Sequence, residues 1–206
     1  EGVVALLLAR SSECVRRGLT NRCEVLGSAV NQDGRSAGLT VPNGRAQSAV
    51  IRRALQQAGI EPSAVDYVEA HGTGTALGDP IELQALGAVF GDRRDANKLL
   101  VGSVKTNLGH TEAAAGLLSV LKVALQIEHG EIAPHLHFDA PNPHVPWSTL
   151  PLRIPTRLEP WPTSARRCAG VSSFGFSGTN AHVVLAAPIA AAESTVAAAQ
   201  PPVRAA

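Results

Sequence analysis

The run Val68-Glu69-Ala70-His71-Gly72-Thr73-Gly74-Thr75, followed directly by Ala76-Leu77-Gly78-Asp79-Pro80-Ile81-Glu82, restricts the fold more than any other stretch of the chain. An apolar segment ends on a histidine, and two glycines alternate with two threonines. A helix start follows, with Asp79 as N-cap, Pro80 at the first helical position and Glu82 three residues after the cap. A strand therefore delivers His71 into a tight, hydroxyl-lined loop that a helix closes. Junctions of this kind are where α/β proteins keep their chemistry.

The rest of the chain alternates in the same way. Residues 2–9 read as a buried strand, 10–21 as a short helix or loop, and 22–31 as a strand weakened by Gly27. A polar loop runs from Asn31 to Gly44. Ala46, Val50, Ile51, Ala54, Leu55 and Ala58 recur at helical period, with Gly59 as the stop. Val65 to Ala70 is the strand before His71, Asp79 to Phe90 a helix ended by Gly91, and Leu99 to Val104 a further strand leading into Lys105-Thr106-Asn107-Leu108-Gly109-His110. Thr111 to Ile127 predicts a helix with almost no polar face, which implies a buried central helix. Glu112, Lys122 and Gln126 within it, and its length, argue against a membrane span. Residues 131–162 hold eight prolines and predict a surface excursion with short edge strands at most. Strand character returns over 166–176, a turn over Gly175–Asn180 follows, and Ala181–Leu185 is the last strand. The Ala- and Pro-rich 188–206 reads as a linker or tail. The expected fold is a mixed α/β sheet with helices on its faces, without internal repeats.

Two histidines stand out by position: His71 after a strand, and His110 between a strand and an apolar helix. A lone histidine is commonly a satisfied structural group. At a helix N-terminus, however, the positive end of the dipole disfavours imidazolium, and a neutral ring can donate to a carbonyl or enolate oxygen. Lys105 and Glu112 flank His110 and can fix its charge and tautomer. Lys105 reads either as a solvated loop lysine or as an ammonium in a buried turn that needs a carboxylate partner. Thr73 and Thr75 present hydroxyls that can bind an amide-rich ligand arm, or simply serve the turn. The loop matches neither of the glycine-rich phosphate-cradle patterns, GxGxxG and GxxxxGKS/T. Gly175-Phe176-Ser177-Gly178 fails as a nucleophile elbow because Thr179 follows, and reads instead as a turn whose backbone N–H groups can line an oxyanion site. His135, His137 and His144 lack a ligand set, so no metal site is expected, and His182 reads as structural.

What these parts lack is a nucleophile. Cys14 lies on a surface helix by pattern, and Cys23 and Cys168 begin strands. Three cysteines without a CxxC pattern predict reduced thiols and a cytoplasmic setting. A formal charge of +1 implies neither a nucleic-acid nor an acidic-membrane partner. No signal peptide or spanning segment is legible. A strand beginning at residue 2 reads as a piece of something longer, or as a processed start.

Three blocks, Val68–Glu82 (VEAHGTGTALGDPIE), Val101–Gly116 (VGSVKTNLGHTEAAAG) and Val171–His182 (VSSFGFSGTNAH), resemble the C-terminal signature blocks of β-ketoacyl synthases. Asn31–Gly44 (NQDGRSAGLTVPNG) is similar to modular type I polyketide synthases. The resemblance covers about residues 1–187 and implies a thiolase-like αβαβα sandwich, usually homodimeric, of which this chain is mainly the C-terminal half. It divides the chain into the last strands of the N-terminal half (1–33), the C-terminal half (34–187) and the tail (188–206). It implies decarboxylative Claisen condensation between a cysteine-bound acyl group and a malonyl-type extender on acyl carrier protein, with no directly bound cofactor. By the same resemblance His71 and His110 are the catalytic histidines, Lys105 the active-site lysine and Glu112 a network carboxylate. The Phe176 N–H completes the oxyanion hole. Thr73 and Thr75 touch the phosphopantetheine arm, and Phe174, Gly175 and Asn180 lie on the substrate side. The family's nucleophilic cysteine belongs to a T-A-C-S-S-like block that this sequence does not contain, so the N-terminal half is an expected partner.

Two other functions share these residues. A split or degenerate ketosynthase would act as a scaffold or carrier-protein docking module, and the upstream sequence discriminates it. A thiolase-type acyltransferase would carry a second active-site cysteine near the C-terminal loop, and Gly175–Asn180 has none.

Overall fold

The structure is a computed structural model that describes residues 1–35, 38, 41–91, 97–162 and 166–189. Six strands form one mixed sheet in the order β1 (Glu24–Gln32), β8 (Thr179–Ala186), β7 (Cys168–Phe174), β2 (Tyr67–Glu69), β3 (Leu99–Gly102), β5 (Leu152–Arg153). β1, β8 and β7 are antiparallel neighbours, whereas β7, β2, β3 and β5 run parallel. The short strands β4 (Glu131–Ile132) and β6 (Glu159–Pro160) pair apart from it, as the proline content requires.

Period-two alternation sends each strand's side chains to two separate cores. Val68, Leu99, Val101, Cys168 and Val184 pack beneath α2 (Gly44–Ala58) and α3 (Gly78–Phe90). Tyr67, Leu100, Ala169, Val171 and Leu185 pack with Val123 and Ile127 of α5 (Ala115–His129) on the other face. The parallel strands β2 and β3 are buried along their whole length, which the apolar run of β3 anticipates and the Glu69 that ends β2 does not. α2 has the sequence-predicted extent, capped by the Asn43 side chain and stopped by Gly59 in the left-handed region at φ 64°. Gly27 sits at a β1 bulge, where a Cβ would come within 2.6 Å of the Ala54 carbonyl oxygen. It weakens the strand and lets α2 approach.

Three expectations are corrected. Residues 2–9 form no strand: among the described residues no neighbour pairs with them, and Val3, Leu7 and Leu8 are exposed. Residues 11–17 form α1, within the span read as helix or loop. Asp79 is not an N-cap, because α3 begins at Gly78 and Asp79 lies in its first turn. The Asp79 carboxylate accepts the Gly74 N–H while the Thr75 hydroxyl accepts that of Gly78. Nor is the apolar helix buried all round: a 3-10 turn (Glu112–Ala114) precedes α5, whose Leu117, Leu121 and Leu125 are exposed. Only one of its faces meets the sheet.

Residues 36, 37, 39 and 40 of the polar loop and 190–206 of the tail lie outside the described residues. Among the described residues no helix is long and apolar enough to cross a membrane, and no cluster of histidine, cysteine and acidic side chains could hold a metal.

Candidate active site

Parallel β2 and β3 end at the same edge of the sheet, and the loops leaving them hold the two histidines. The first loop is shaped by Glu82, whose buried carboxylate reaches back from α3 to accept the N–H groups of His71 at 2.7 Å and Gly72 at 2.9 Å. Gly72 has φ 47°, and a Cβ there would lie 2.9 Å from Ser103 Cβ, so only glycine fits between the two loops. Thr73 and Thr75 place their hydroxyls 3.4 Å apart at the surface.

The second loop passes through α4 (Lys105–Leu108) and turns at Gly109, φ 73°. His110 Nδ1 then accepts the backbone N–H of Glu112 at 3.0 Å. The neutral ring therefore carries its hydrogen on Nε2. Here the expectation for Glu112 is corrected. Its side chain is exposed and its φ of 52° turns the backbone, so its N–H, rather than its carboxylate, sets the tautomer.

The third contribution is the β7–β8 turn. It is closed by Gly175 N–H to the Thr179 carbonyl at 2.7 Å and tied to the loop after β1 by Asp33 N–H to the Gly178 carbonyl at 2.8 Å. The buried Asn180 amide donates to Asn31 Oδ1 and Asp33 Oδ1, holding the turn down. Phe176 projects from its tip, 80 % exposed. Among the described residues its N–H has no hydrogen-bond partner.

These three loops enclose one cleft lined by His71, Thr73, Thr75, His110, Phe174, Gly175, Phe176 and Asn180, together with Asp33, Gln47 and Glu82. The His71 ring stands 5.5 Å from that of His110 and 5.8 Å from that of Phe174. Burial, with the Lys105 ammonium and the His110 ring beside it, lowers His71 to about 4, so it is neutral at pH 7. Its Nδ1 is buried with no partner among the described residues. Burial also lowers Lys105, partly offset by Glu82 and Glu69. Lys105 and Glu112 do not line the cleft; Lys105 acts behind it through charge.

No cysteine reaches this place. Cys168 opens β7 and Phe174 closes it, so roughly 20 Å of strand at about 3.3 Å per residue separates that thiol from the cleft. Burial pushes the Cys168 thiol up to about 11 and raises that of Cys23, the reverse of what a nucleophile needs.

Sequence reasoning misses two buried acids of this region: Glu82, and Glu69 with its partner Lys122. Both sit in apolar segments, and a charge in such a segment is the signal that a partner must exist.

The layered sheet and its junction-borne histidines define a thiolase-like α/β architecture, mainly its C-terminal half. The chain belongs to the β-ketoacyl synthase C-terminal domain family, which residues 22–139 match. Residues 141–203 match the ketoacyl-synthetase C-terminal extension. It is 54% identical over 187 residues to a phenolphthiocerol/phthiocerol polyketide synthase of Mycobacterium tuberculosis, covering 90% of this chain and 10% of that relative. It is 52% identical over 187 residues to erythronolide synthase EryA3 of Saccharopolyspora erythraea, covering 90% of this chain and 6% of that relative. Among solved structures, the ketosynthase from module 6 of the bacillaene synthase of Bacillus subtilis 168 is similar at TM-score 0.82 and 43% identity. That likeness covers 87% of this chain and 33% of the ketosynthase. The oxazolomycin ketosynthase domain OzmH KS7 of Streptomyces albus JA3453 is similar at TM-score 0.83 and 39% identity, over 89% of this chain and 34% of that one. The chain is thus the C-terminal part of a modular polyketide synthase ketosynthase, about a third of the length of these two solved ketosynthases.

Proposed function

We propose that this chain serves decarboxylative Claisen condensation, supplying the oxygen-holding half of the active site while the nucleophilic cysteine comes from outside these 206 residues. The observation that carries the reading is the His71–His110 pair at 5.5 Å, in a cleft without a thiol. Neutral imidazoles that can present N–H groups stabilise oxyanions and enolates; they do not attack a carbonyl carbon.

In this reading an acyl group rides on the external cysteine. A malonyl-type extender arrives on the phosphopantetheine arm of acyl carrier protein, which passes Thr73 and Thr75. Loss of CO2 leaves its electron pair on the extender as an enolate, whose oxygen the histidines hold. The enolate carbon attacks the acyl carbonyl, the developing oxyanion meets the Phe176 N–H, and the cysteine thiolate leaves. Lys105 adds positive charge behind the pair, which supports the neutral His71. Asn180 is a scaffold for the oxyanion turn, since its amide is spent on Asn31 and Asp33. The N-terminal ketosynthase half and a second copy of the complete domain are the further partners of this reading.

The test is a complete ketosynthase containing this chain, given an acyl thioester and a carrier-bound extender. Intact-mass analysis should show acylation of a cysteine outside this chain, and CO2 and a β-ketoacyl product should follow. A complete domain that takes up acyl groups and releases no CO2, or that is not acylated, would leave a docking module as the better description.

A further inference from the structure

β2 is three residues long, and its last residue, Glu69, has 0% exposure. A buried carboxylate there is costly unless donors surround it. Three do. One oxygen accepts the backbone N–H of Val104. The other accepts the Tyr67 hydroxyl at 2.5 Å and Lys122 Nζ at 2.8 Å. Lys122 reaches in from α5 with only 10% of its side chain exposed, so the pair is nearly dry. β3 makes room for the group: a Cβ at Gly102 would lie 2.5 Å from the Tyr67 hydroxyl.

An apolar trio could fill this space without desolvating two charges. What it could not supply is a directional bond to Val104. Glu69 stands two residues before His71, and Val104 stands immediately before Lys105 and six residues before His110. The carboxylate thus joins the strand that delivers one histidine to the loop that delivers the other. Glu82 holds the backbone of the first loop from α3; Glu69 ties the second loop to the first.

We infer that Glu69 is a positioning residue, whose carboxylate fixes the Lys105–His110 loop against the His71 loop with Lys122 as its counter-ion. The inference rests on the condensation chemistry proposed above for its effect on rate, and on the structure alone for its effect on the loop.

The experiment uses the complete ketosynthase with Glu69→Leu, Val104→Pro and the double variant Glu69→Gln/Lys122→Met. Condensation, cysteine acylation, and amide exchange of the peptide spanning 103–110 are measured on each. Glu69→Leu should lower kcat for condensation about 10²-fold, the scale of a misplaced catalytic group, with KM for the extender and the acylation rate unchanged. Peptide 103–110 should lose exchange protection while other sheet peptides keep theirs. The double variant keeps an amide oxygen for Val104 and no uncompensated charge, so it should stay within about threefold of the parent. Val104→Pro suits the observed φ of −63°, removes the donor and keeps an apolar side chain at this buried position, so it decides the matter should Glu69→Leu not fold. Unchanged exchange in 103–110, or condensation and acylation falling together, overturns the inference. A parent enzyme that does not condense overturns the functional reading instead, and the exchange result still judges Glu69.

Discussion

The rings of His71 and His110 meet edge to face, 5.5 Å apart with their planes at 86°. They come from loops after adjacent parallel strands, so their relation is set by the β2–β3 register and not by any local spacing. Tyr67 lies opposite Leu100, Val68 opposite Val101 and Glu69 opposite Gly102, which brings the strand ends level. Each ring is then held differently. His71 is fixed through its own backbone by Glu82, and His110 through its ring nitrogen by the Glu112 N–H.

Replacing either histidine should separate two steps. In the complete ketosynthase, His71→Ala and His110→Ala should each lower condensation by about 10²–10⁴-fold, the usual worth of a positioned proton-bearing group. Cysteine acylation should survive in large part, because an activated thioester can transfer to a thiol without enolate stabilisation. Intact-mass acylation beside product release reads the two steps. Equal loss of both would make these residues structural.

Proton linkage supplies the second expectation, and its sign differs between groups. His71 at about 4 and buried His182 at about 3 lie below the ordinary 6.5. The unfolded chain therefore binds their protons first, and stability present above pH 6.5 is lost as pH falls towards 4 and 3. Glu82, raised by burial from 4.5 to about 7, works the other way, and its contribution fades as pH rises between those values. His182 is the cleaner probe because its ring lies inside the sheet, against Ser172 at 3.0 Å. Melting midpoints measured from pH 7 to pH 4 should fall, and His182→Asn should flatten the fall. Each proton taken up only on unfolding steepens the curve by up to about 1.4 kcal/mol per pH unit. An unchanged slope in the variant would show that His182 does not titrate on unfolding.

Much of this arrangement is local and therefore legible in the chain. Apolar period and Gly59 define α2, and the glycine–threonine alternation after His71 announces the loop. What escapes is non-local. Glu82 pairs with amides ten and eleven residues back, and Glu69 with Lys122 across 53 residues, and no spacing rule encodes either. Residues 2–9 mislead because strand composition does not supply a neighbouring strand. Glu112 misleads because proximity in sequence names the residue but not which of its atoms makes the contact.

Gly27 offers a test of packing remote from the site. A methyl group there would meet the Ala54 carbonyl oxygen and the Ala58 N–H, both at 2.6 Å, and both are backbone atoms that cannot rotate away. Gly27→Ala should cost about 1–3 kcal/mol as α2 is pushed from β1. Val30→Ala, on the same strand but exposed, should stay within about 0.5 kcal/mol. Equal denaturation midpoints for the two variants would mean that β1 shifts freely under α2.

Phe176 separates a side chain from its backbone. Its ring is largely in solvent, so Phe176→Ala should leave the melting midpoint unchanged and retain condensation, with altered preference among acyl chains. Phe176→Pro removes the N–H assigned to the oxyanion and should lower condensation by about 10²–10³-fold. If alanine were as damaging as proline, the ring rather than the N–H would carry the function.

The outer face of α5 makes a prediction about this chain by itself. Leu117, Leu121 and Leu125 are spaced four apart on one stripe and are 43%, 36% and 40% exposed. Leu108 and Leu158 continue the apolar surface beside them. A stripe of this kind on an isolated chain invites association. The 206-residue chain should therefore self-associate and bind a hydrophobic dye, and Leu121→Lys with Leu125→Glu should reduce both. In the complete ketosynthase, about three times longer by its solved relatives, the same pair of substitutions should lower the melting midpoint, because charge placed on a face that the added chain covers would lose its solvation. The two outcomes must have opposite signs: solubility gained in the part, stability lost in the whole. A complete domain indifferent to the substitutions would show that α5 keeps this face open there as well, and a monodisperse, cooperatively melting parent chain would show that the stripe is too small to drive association.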